Sequence, residues 1–512
     1  MKKTVFIKNA AILTASSLVL RFAGIIFKVW LAKKIGSEGI GLYQLVFSVY
    51  VLASTFATSG ISTAVTRLVA EELALGTKKT TLKILKRAIM LTLIIAFISA
   101  FILYFGAEFI AKVFLSDTRA IDSLKILPLS LPFIGTTSCI RGYFIARRKA
   151  TPNAVSQIAE QAIRIVAILL LINAFSGKGV SAYCFAVMLG DSIAEIFSCL
   201  LLWLQFIADQ NKLKVLNGRA KMPYPVIKQI LHISVPITSG RYLNTTLRTA
   251  ENVLVPKNLA KYPLNQESAL SQFGMIKGMA LPILFFPSAI LNSVSTLLIP
   301  EISEAVARKQ MGIVKASTQN ILKLTSLIGF LFGAIFLVCG ERIGFLIYKD
   351  ASVGFLLKAL SPIVPLMYLD SISDGILKGL DQQVFSFRTS ITDSALRIIL
   401  ILILLPKMGI WGFIIIMYFS NLLTCFLNVK RLIKVSRARF EILNGIFMPI
   451  CSALISTLLC DSLIAFIPNI NNLVYIILFC GFSSAFYLIL LDFLKIVPLK
   501  ELLTTLNRHK KA

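Results

Sequence analysis

Leu473–Leu491 reads LVYIILFCGFSSAFYLILL, nineteen residues without a charge, and stretches of this kind recur along the whole chain. A helix of that composition has no polar stripe to turn toward water, and at about 20 residues it matches the thickness of a bilayer core. Ile398–Leu405 and Trp411–Phe426 are apolar on every face in the same way. Windows of about 20 residues set against charged breaks give about fourteen spans. They cover 9–32, 42–66, 88–107, 126–146, 154–174, 180–207, 229–255, 274–299, 320–340, 354–377, 384–405, 409–429, 442–467 and 473–494. The fold class that follows is an all-α polytopic membrane protein. The hydrophobic share of 57% and mean hydropathy of +0.82 fit that class and no ordinary soluble domain.

A formal charge of +29 would suit a nucleic-acid binder, but its distribution points elsewhere. With the amino terminus inside, most of the 53 Lys and Arg fall in cytoplasmic segments. Among them are Lys78, Lys79, Lys83, Lys86 and Arg87, then Arg147, Arg148 and Lys149. Further groups are Lys430, Arg431, Lys434, Arg437 and Arg439, and the tail residues Arg508, Lys510 and Lys511. This is the positive-inside bias of a multi-pass protein of the cytoplasmic membrane with both termini inside, and no nucleic-acid partner is expected. The first apolar segment resembles a secretory signal but is too long, carries Arg21 and lacks an A-x-A site, so it counts as a span. Eight cysteines stand singly in apolar stretches, reading as small buried hydrophobes rather than metal ligands. His232 and His509 lie near the cytoplasmic edge and in the tail. No Walker A, HExxH or GxSxG motif appears, and the longest connection, 208–228, is short and basic. The chain reads as no enzyme, with no cofactor and no metal.

Offsetting the chain by 233 residues superposes its two halves without a gap from about 41 to 172. Gly41 falls on Gly274, Ser62 and Thr63 on Ser295 and Thr296, and Glu71 on Glu304. Glu108 then meets Glu341, Asp117 meets Asp350, Pro132 meets Pro365, Gly142 meets Gly375, and Glu160 with Arg164 meets Asp393 with Arg397. Apolar matches between membrane helices come cheaply, whereas aligned charges and prolines do not. The first span fits at an offset of 220, pairing Lys8 with Lys228, Arg21 with Arg241 and Lys28 with Arg248. Six spans separate the mates, so the halves share one orientation and a pseudo-two-fold axis along the membrane normal. The expected organisation is an N-lobe at 1–207, a cytoplasmic linker at 208–228 and a C-lobe at 229–440. Two extra spans at 441–494 and a basic tail at 495–512 follow.

Charges inside a bilayer are costly and need a partner or water. Arg21 and Lys28 are two helical turns apart on one face, and Arg241 with Arg248 repeats the spacing. If the mates face one another, four cations line one cavity, and a pyrophosphate is the simplest occupant. The bland alternative has Lys28 and Arg248 snorkelling to the interface while nearby acids neutralise the rest. Glu160–Arg164 and Asp393–Arg397 read as i,i+4 structural ion pairs. Asp191 with Glu195, and Asp370 with Asp374, set two acids one turn apart, a spacing that can hold a coupling proton or sodium ion. Asp191, Glu195 and Asp370 are the coupling candidates.

The opening stretch, SLVLRFAGIIFKVWLAKKIGSEGIGLYQLVFSVY followed by SGISTAVTRLVAE, resembles the stage V sporulation protein B group of polysaccharide-biosynthesis transporters. That group lies within the multidrug/oligosaccharidyl-lipid/polysaccharide exporter superfamily, and the resemblance covers essentially the whole chain. It implies a six-plus-six-plus-two helix arrangement. It also implies flipping of an undecaprenyl-pyrophosphate-linked saccharide, such as a peptidoglycan precursor for the spore cortex. Lipid II flippases of the superfamily carry cations on spans one and seven, which Arg21 and Arg241 match. Lys28 stands where they often carry an acid, and their second-span Arg has no counterpart among Leu52–Thr58. The expected partners are therefore a lipid-linked saccharide, membrane lipid and a coupling ion, with the chain a monomer. The alternatives are a cation-coupled multidrug exporter, whose cavity should be acidic, and a membrane polymerase or non-transporting morphogenesis protein.

Overall fold

A computed structural model describes residues 3–58, 60–74, 78–211, 225–262, 265–289, 291, 302–466 and 471–496. Most of the expected linker, the latter part of the expected eighth span and the basic tail with His509 lie outside the described residues. The described chain is helical throughout, with no strand among the described residues. That is what lipid demands of a backbone whose every N–H and C=O needs an internal partner. Ten stretches are long and apolar enough to cross a membrane, or eleven if one bent pair counts as a single span. Two of the ten, Ala15–Ala74 and Gln383–Ser436, are 60 and 54 residues long. At about 1.5 Å per residue each is long enough for two crossings.

The turnover inside each long stretch is made at glycine. The helix α1 (Lys3–Thr58) leaves helical geometry only at Gly36, with φ 73° and ψ 175°. The break expected at 33–41 is therefore a single-residue kink. A second glycine, Gly60 with φ 77°, parts α1 from α2 (Ile61–Ala74), inside what reads as one continuous second span. Both conformations are open to glycine because it has no Cβ to clash. Then come α3 (Lys78–Phe109), the short α4 (Ile121–Ile126), α5 (Leu131–Ala146), α6 (Thr151–Ala174) and α7 (Val180–Asn211). They are followed by α8 (Val226–Leu259), α9 (Gln266–Gly274) and α10 (Leu281–Phe285). The later helices are α11 (Met311–Tyr348), α12 (Ala351–Leu360), α13 (Val364–Gly379), α14 (Gln383–Ser436), α15 (Met448–Ala465) and α16 (Asn472–Phe493). Within α14, Gly409 makes the one non-helical step, at φ 56° and ψ −131°.

The chain divides into two compact units, Met1–Gly274 with Ile401–Lys407, and Met275–Leu400 with Met408–Ala512. In the first, α1 packs against α3, α5, α6, α7, α8 and α9. One buried core there joins Ile61, Val65 and Leu68 of α2 to Tyr143 and Phe144 of α5 and Phe206 of α7. In the second, α15 and α16 pack on α11 through Leu327, Ala334, Ala453, Tyr487 and Leu491. Tyr487 donates to the Leu327 carbonyl at 3.1 Å, and the Lys323 ammonium reaches the Ile496 carbonyl at 2.6 Å. All eight cysteines are free.

The repeat has a counterpart in local geometry. Asp117 accepts from the backbone N–H of Arg119, and its mate Asp350 accepts from that of Ser352. Each follows a left-handed residue, Ser116 and Lys349, both with φ 56°. Lys125 bonds Glu108 at 3.3 Å in one unit, and the mates Lys358 and Glu341 bond at 2.9 Å in the other. Pro132 and Pro365 both sit in the first turn of their helices, α5 and α13, where a missing N–H costs nothing.

Candidate functional site

Within the first unit, three helices converge on a network of charges. Arg164 of α6 bonds Glu160 one turn before it, at 2.9 Å. The same guanidinium forms ion pairs across to α7, with Asp191 at 2.9 Å and Glu195 at 3.5 Å. From α5, Arg141 takes the other oxygen of Glu160 at 2.7 Å, and Ser198 donates to that oxygen at 3.0 Å. Gln161 adds a bond to Arg164 at 2.9 Å. Asp191 is buried, and Glu160, Glu195, Arg141 and Arg164 are half-buried. A guanidinium suits this place because its planar fork serves several carboxylates at once. Three carboxylates face two guanidiniums, and Glu195 has the longest contact of the three.

The spacing Glu160–Arg164 was readable in sequence, but Arg141 was missed as a member. Its partners lie 19 and 57 positions away, so no local pattern reveals them. The available signal was an arginine at the repeat position of Asp374, within the apolar surroundings of span four.

The second unit holds a sparser arrangement. Asp393 and Arg397 lie 3.6 Å apart, and Ser420 donates to Asp393 at 2.5 Å. Asn428 donates to Asp370 at 2.8 Å, while Lys378 bonds Asp374. Asp370 is half-buried.

The four cations of spans one and seven sit on α1 and α8, and all four are exposed. Among the described residues no ion pair joins Arg21, Lys28, Arg241 or Arg248 to an acid. The second half of α1 packs on α8, where Thr249 donates to the Ser48 carbonyl at 3.1 Å and Phe56 meets Tyr242 at 5.6 Å between ring centres. Although α8 is 34 residues long, it is absent from the ten stretches apolar enough to cross a membrane. Arg241, Arg248, Glu251 and a series of Ser, Thr and Asn make it too polar for lipid on all sides. A helix of that kind lines a cavity or another helix.

Two glycine approaches fasten this part of the unit. A Cβ on Gly41 would lie 2.2 Å from the Leu270 carbonyl oxygen, and one on Gly274 only 2.0 Å from that of Ser37. Beside them the Ser37 and Ser271 hydroxyls are 2.6 Å apart. A Cβ on Gly60 would fall 2.4 Å from the Ser234 carbonyl oxygen of α8.

Comparison with known proteins gives consistent likenesses. Residues 6–306 match the family described as Polysaccharide biosynthesis protein. Stage V sporulation protein B of Bacillus subtilis (strain 168) is 27% identical over 515 residues, covering 98% of each chain. Lipid II flippase MurJ of the same organism is 22% identical over 461 residues, 83% of this chain and 82% of that one. Among solved structures, "Lipid II flippase MurJ, inward closed conformation" superposes with a TM-score of 0.71 at 17% identity, covering 94% of this chain and 98% of that one. An inward-facing multidrug resistance MATE family transporter of the MOP superfamily gives 0.64 at 13% identity, over 83% and 99%.

Proposed function

Because the chain belongs to the polysaccharide biosynthesis protein family, a membrane transporter and not an enzyme, we propose that it flips an undecaprenyl-pyrophosphate-linked saccharide across the cytoplasmic membrane. The observation that carries this reading is the set of exposed cations on α1 and α8, the latter too polar to face lipid throughout. A polyprenyl pyrophosphate is an anion that must pass an apolar layer, and Arg forks match its phosphate oxygens. In this reading Arg21, Lys28, Arg241 and Arg248 hold the pyrophosphate. The lobes at 1–207 and 229–440 rock about it in alternating access, both termini stay cytoplasmic and the chain works as a monomer. The relative named a sporulation protein supports a role in cell-wall or spore-cortex synthesis. A proton or sodium ion resets the cycle through Asp191, Glu195 or Asp370.

A second reading, a cation-coupled multidrug exporter, draws on the MATE-like fold and on the surplus acid around Arg164. The exposed basic residues weigh against it, since cationic drugs call for acids. Reconstituted protein tests both: lipid II translocation in proteoliposomes supports the first, and efflux of a cationic dye without lipid translocation supports the second.

A further inference from the structure

We propose that a cleft between α4, α6 and α7 of the first unit is a binding site for a phospholipid whose headgroup carries a phosphate and a primary ammonium. The cleft has a volume of about 480 Å³, within the range of small-ligand sites, roughly 300–1,000 Å³. Part of its lining is apolar: the half-buried rings of Phe175 and Phe185 lie 5.8 Å apart, with Ile126 and Ala182 completing that part. The rest carries both signs of charge, from Asp122, Lys125 and Lys178. Lys125 is engaged by Glu108 at 3.3 Å, and the Lys178 ammonium rests 5.0 Å from the centre of the Phe175 ring. Among the described residues neither Asp122 nor Lys178 has an ion-pair partner.

The position of the cleft favours lipid. Ala182 stands about three helical turns before Ile193 on α7, so the two share a face. Ile193, Phe197 and Leu200 are exposed on that face, apolar side chains of a membrane-crossing helix with lipid as their surroundings. The cleft therefore adjoins the lipid-facing side of this unit at one end of α7, where acyl chains give way to headgroups. Its charges then select the headgroup. A phosphate suits Lys178, and an ammonium with N–H donors suits Asp122. An anionic head without an amine would set its charge against Asp122, and a quaternary ammonium has no N–H to donate. The second unit supplies a contrast. Its Lys358–Glu341 bond repeats Lys125–Glu108, but the mate of Asp122 is Phe355, which packs edge-on against Trp411 at 5.3 Å, two residues past the break at Gly409. Two rings meet there, where the first unit presents the Asp122 carboxylate.

Native mass spectrometry of the full chain, delipidated in detergent and titrated with phospholipids of matched acyl chains, tests the site. Phosphatidylethanolamine should bind at least fivefold tighter than phosphatidylcholine or phosphatidylglycerol. Asp122→Asn and Lys178→Gln should each weaken phosphatidylethanolamine at least fivefold, and Lys178→Arg, which keeps the charge, should retain it. The melting temperature without lipid should stay unchanged in all three, because neither side chain has an ion-pair partner in the fold. Lys358→Gln, beside the ring-filled counterpart in the second unit, should leave the affinity as it is. Equal binding of the three lipids overturns the proposal, as does a preference for phosphatidylglycerol, which would mark a merely cationic patch. Phosphatidylethanolamine binding that survives both Asp122→Asn and Lys178→Gln overturns it too. None of these readouts depends on what the protein transports.

Discussion

Arg141 and Arg164 share one carboxylate: Glu160 takes Arg141 on Oε2 at 2.7 Å and Arg164 on Oε1 at 2.9 Å. The i,i+4 pair on α6 is thereby tied to both neighbouring helices. Arg164→Ala should lower yield and melting temperature in detergent, because it leaves Glu160, Asp191 and Glu195 with Arg141 alone. Breaking a buried pair costs about 3–5 kcal/mol, and partial exposure here reduces that figure. Arg141→Ala should cost less, since Glu160 keeps Arg164 and Ser198. Equal melting temperatures for the two variants would contradict this ordering.

Arg21→Ala and Arg241→Ala should each cripple flipping while the protein still inserts and folds. Loss of a charge-assisted bond to an anion amounts to about 1.5–3 kcal/mol, or about ten- to a hundredfold in affinity. Lysine should rescue only part, because an ammonium keeps the charge but lacks the bidentate fork. Translocation assays with both substitutions decide it: normal flipping by both alanine variants would make the basic face structural.

Asp191→Asn, Glu195→Gln and Asp370→Asn should each leave lipid binding intact and slow turnover. Glu195 is expected to tolerate the change better than Asp191 in folding terms, because its ion pair to Arg164 is longer, 3.5 Å against 2.9 Å. Single-turnover and steady-state rates separate the two effects. Full transport by all three variants would remove them from the cycle.

Asp117→Ala and Asp350→Ala remove repeat-related caps. A lost N-cap costs about 0.5–2 kcal/mol. Asp117 should cost more, since Arg119 also bonds it and links it to Glu38 at 2.6 Å. Thermal unfolding of the two variants checks the order.

The polytopic all-helical class was legible because lipid imposes one composition on the helices that meet it, whereas the seventh expected span, α8, is not among the stretches apolar enough to cross a membrane. The repeat was legible because Asp117 and Asp350, or Lys125 and Lys358, do local work at identical spacings. What escaped depends on distance in sequence. Arg141 meets Glu160 only after a turn, and Arg164 meets Asp191 only because α6 and α7 run side by side. Aligning Gly41 with Gly274 showed that they are mates, but no alignment shows that mates touch. The break at Gly60 had a signal, the Ser59-Gly60 dipeptide with Thr58 before it and Ser62 and Thr63 after Ile61, but small hydroxyl residues are also tolerated inside membrane helices and the span was read through it.

The polarity of α8 also bears on how the chain is made. Thirty-four residues carrying Arg241, Arg248 and Glu251 gain little by entering lipid alone. During synthesis this segment has to leave the translocon against a helix already in place, and α1 is one that it packs on in the finished fold. Biogenesis then becomes an ordering problem: α8 inserts late and cooperatively, and a chain lacking α1 should leave it stranded in water as a target for quality-control proteases.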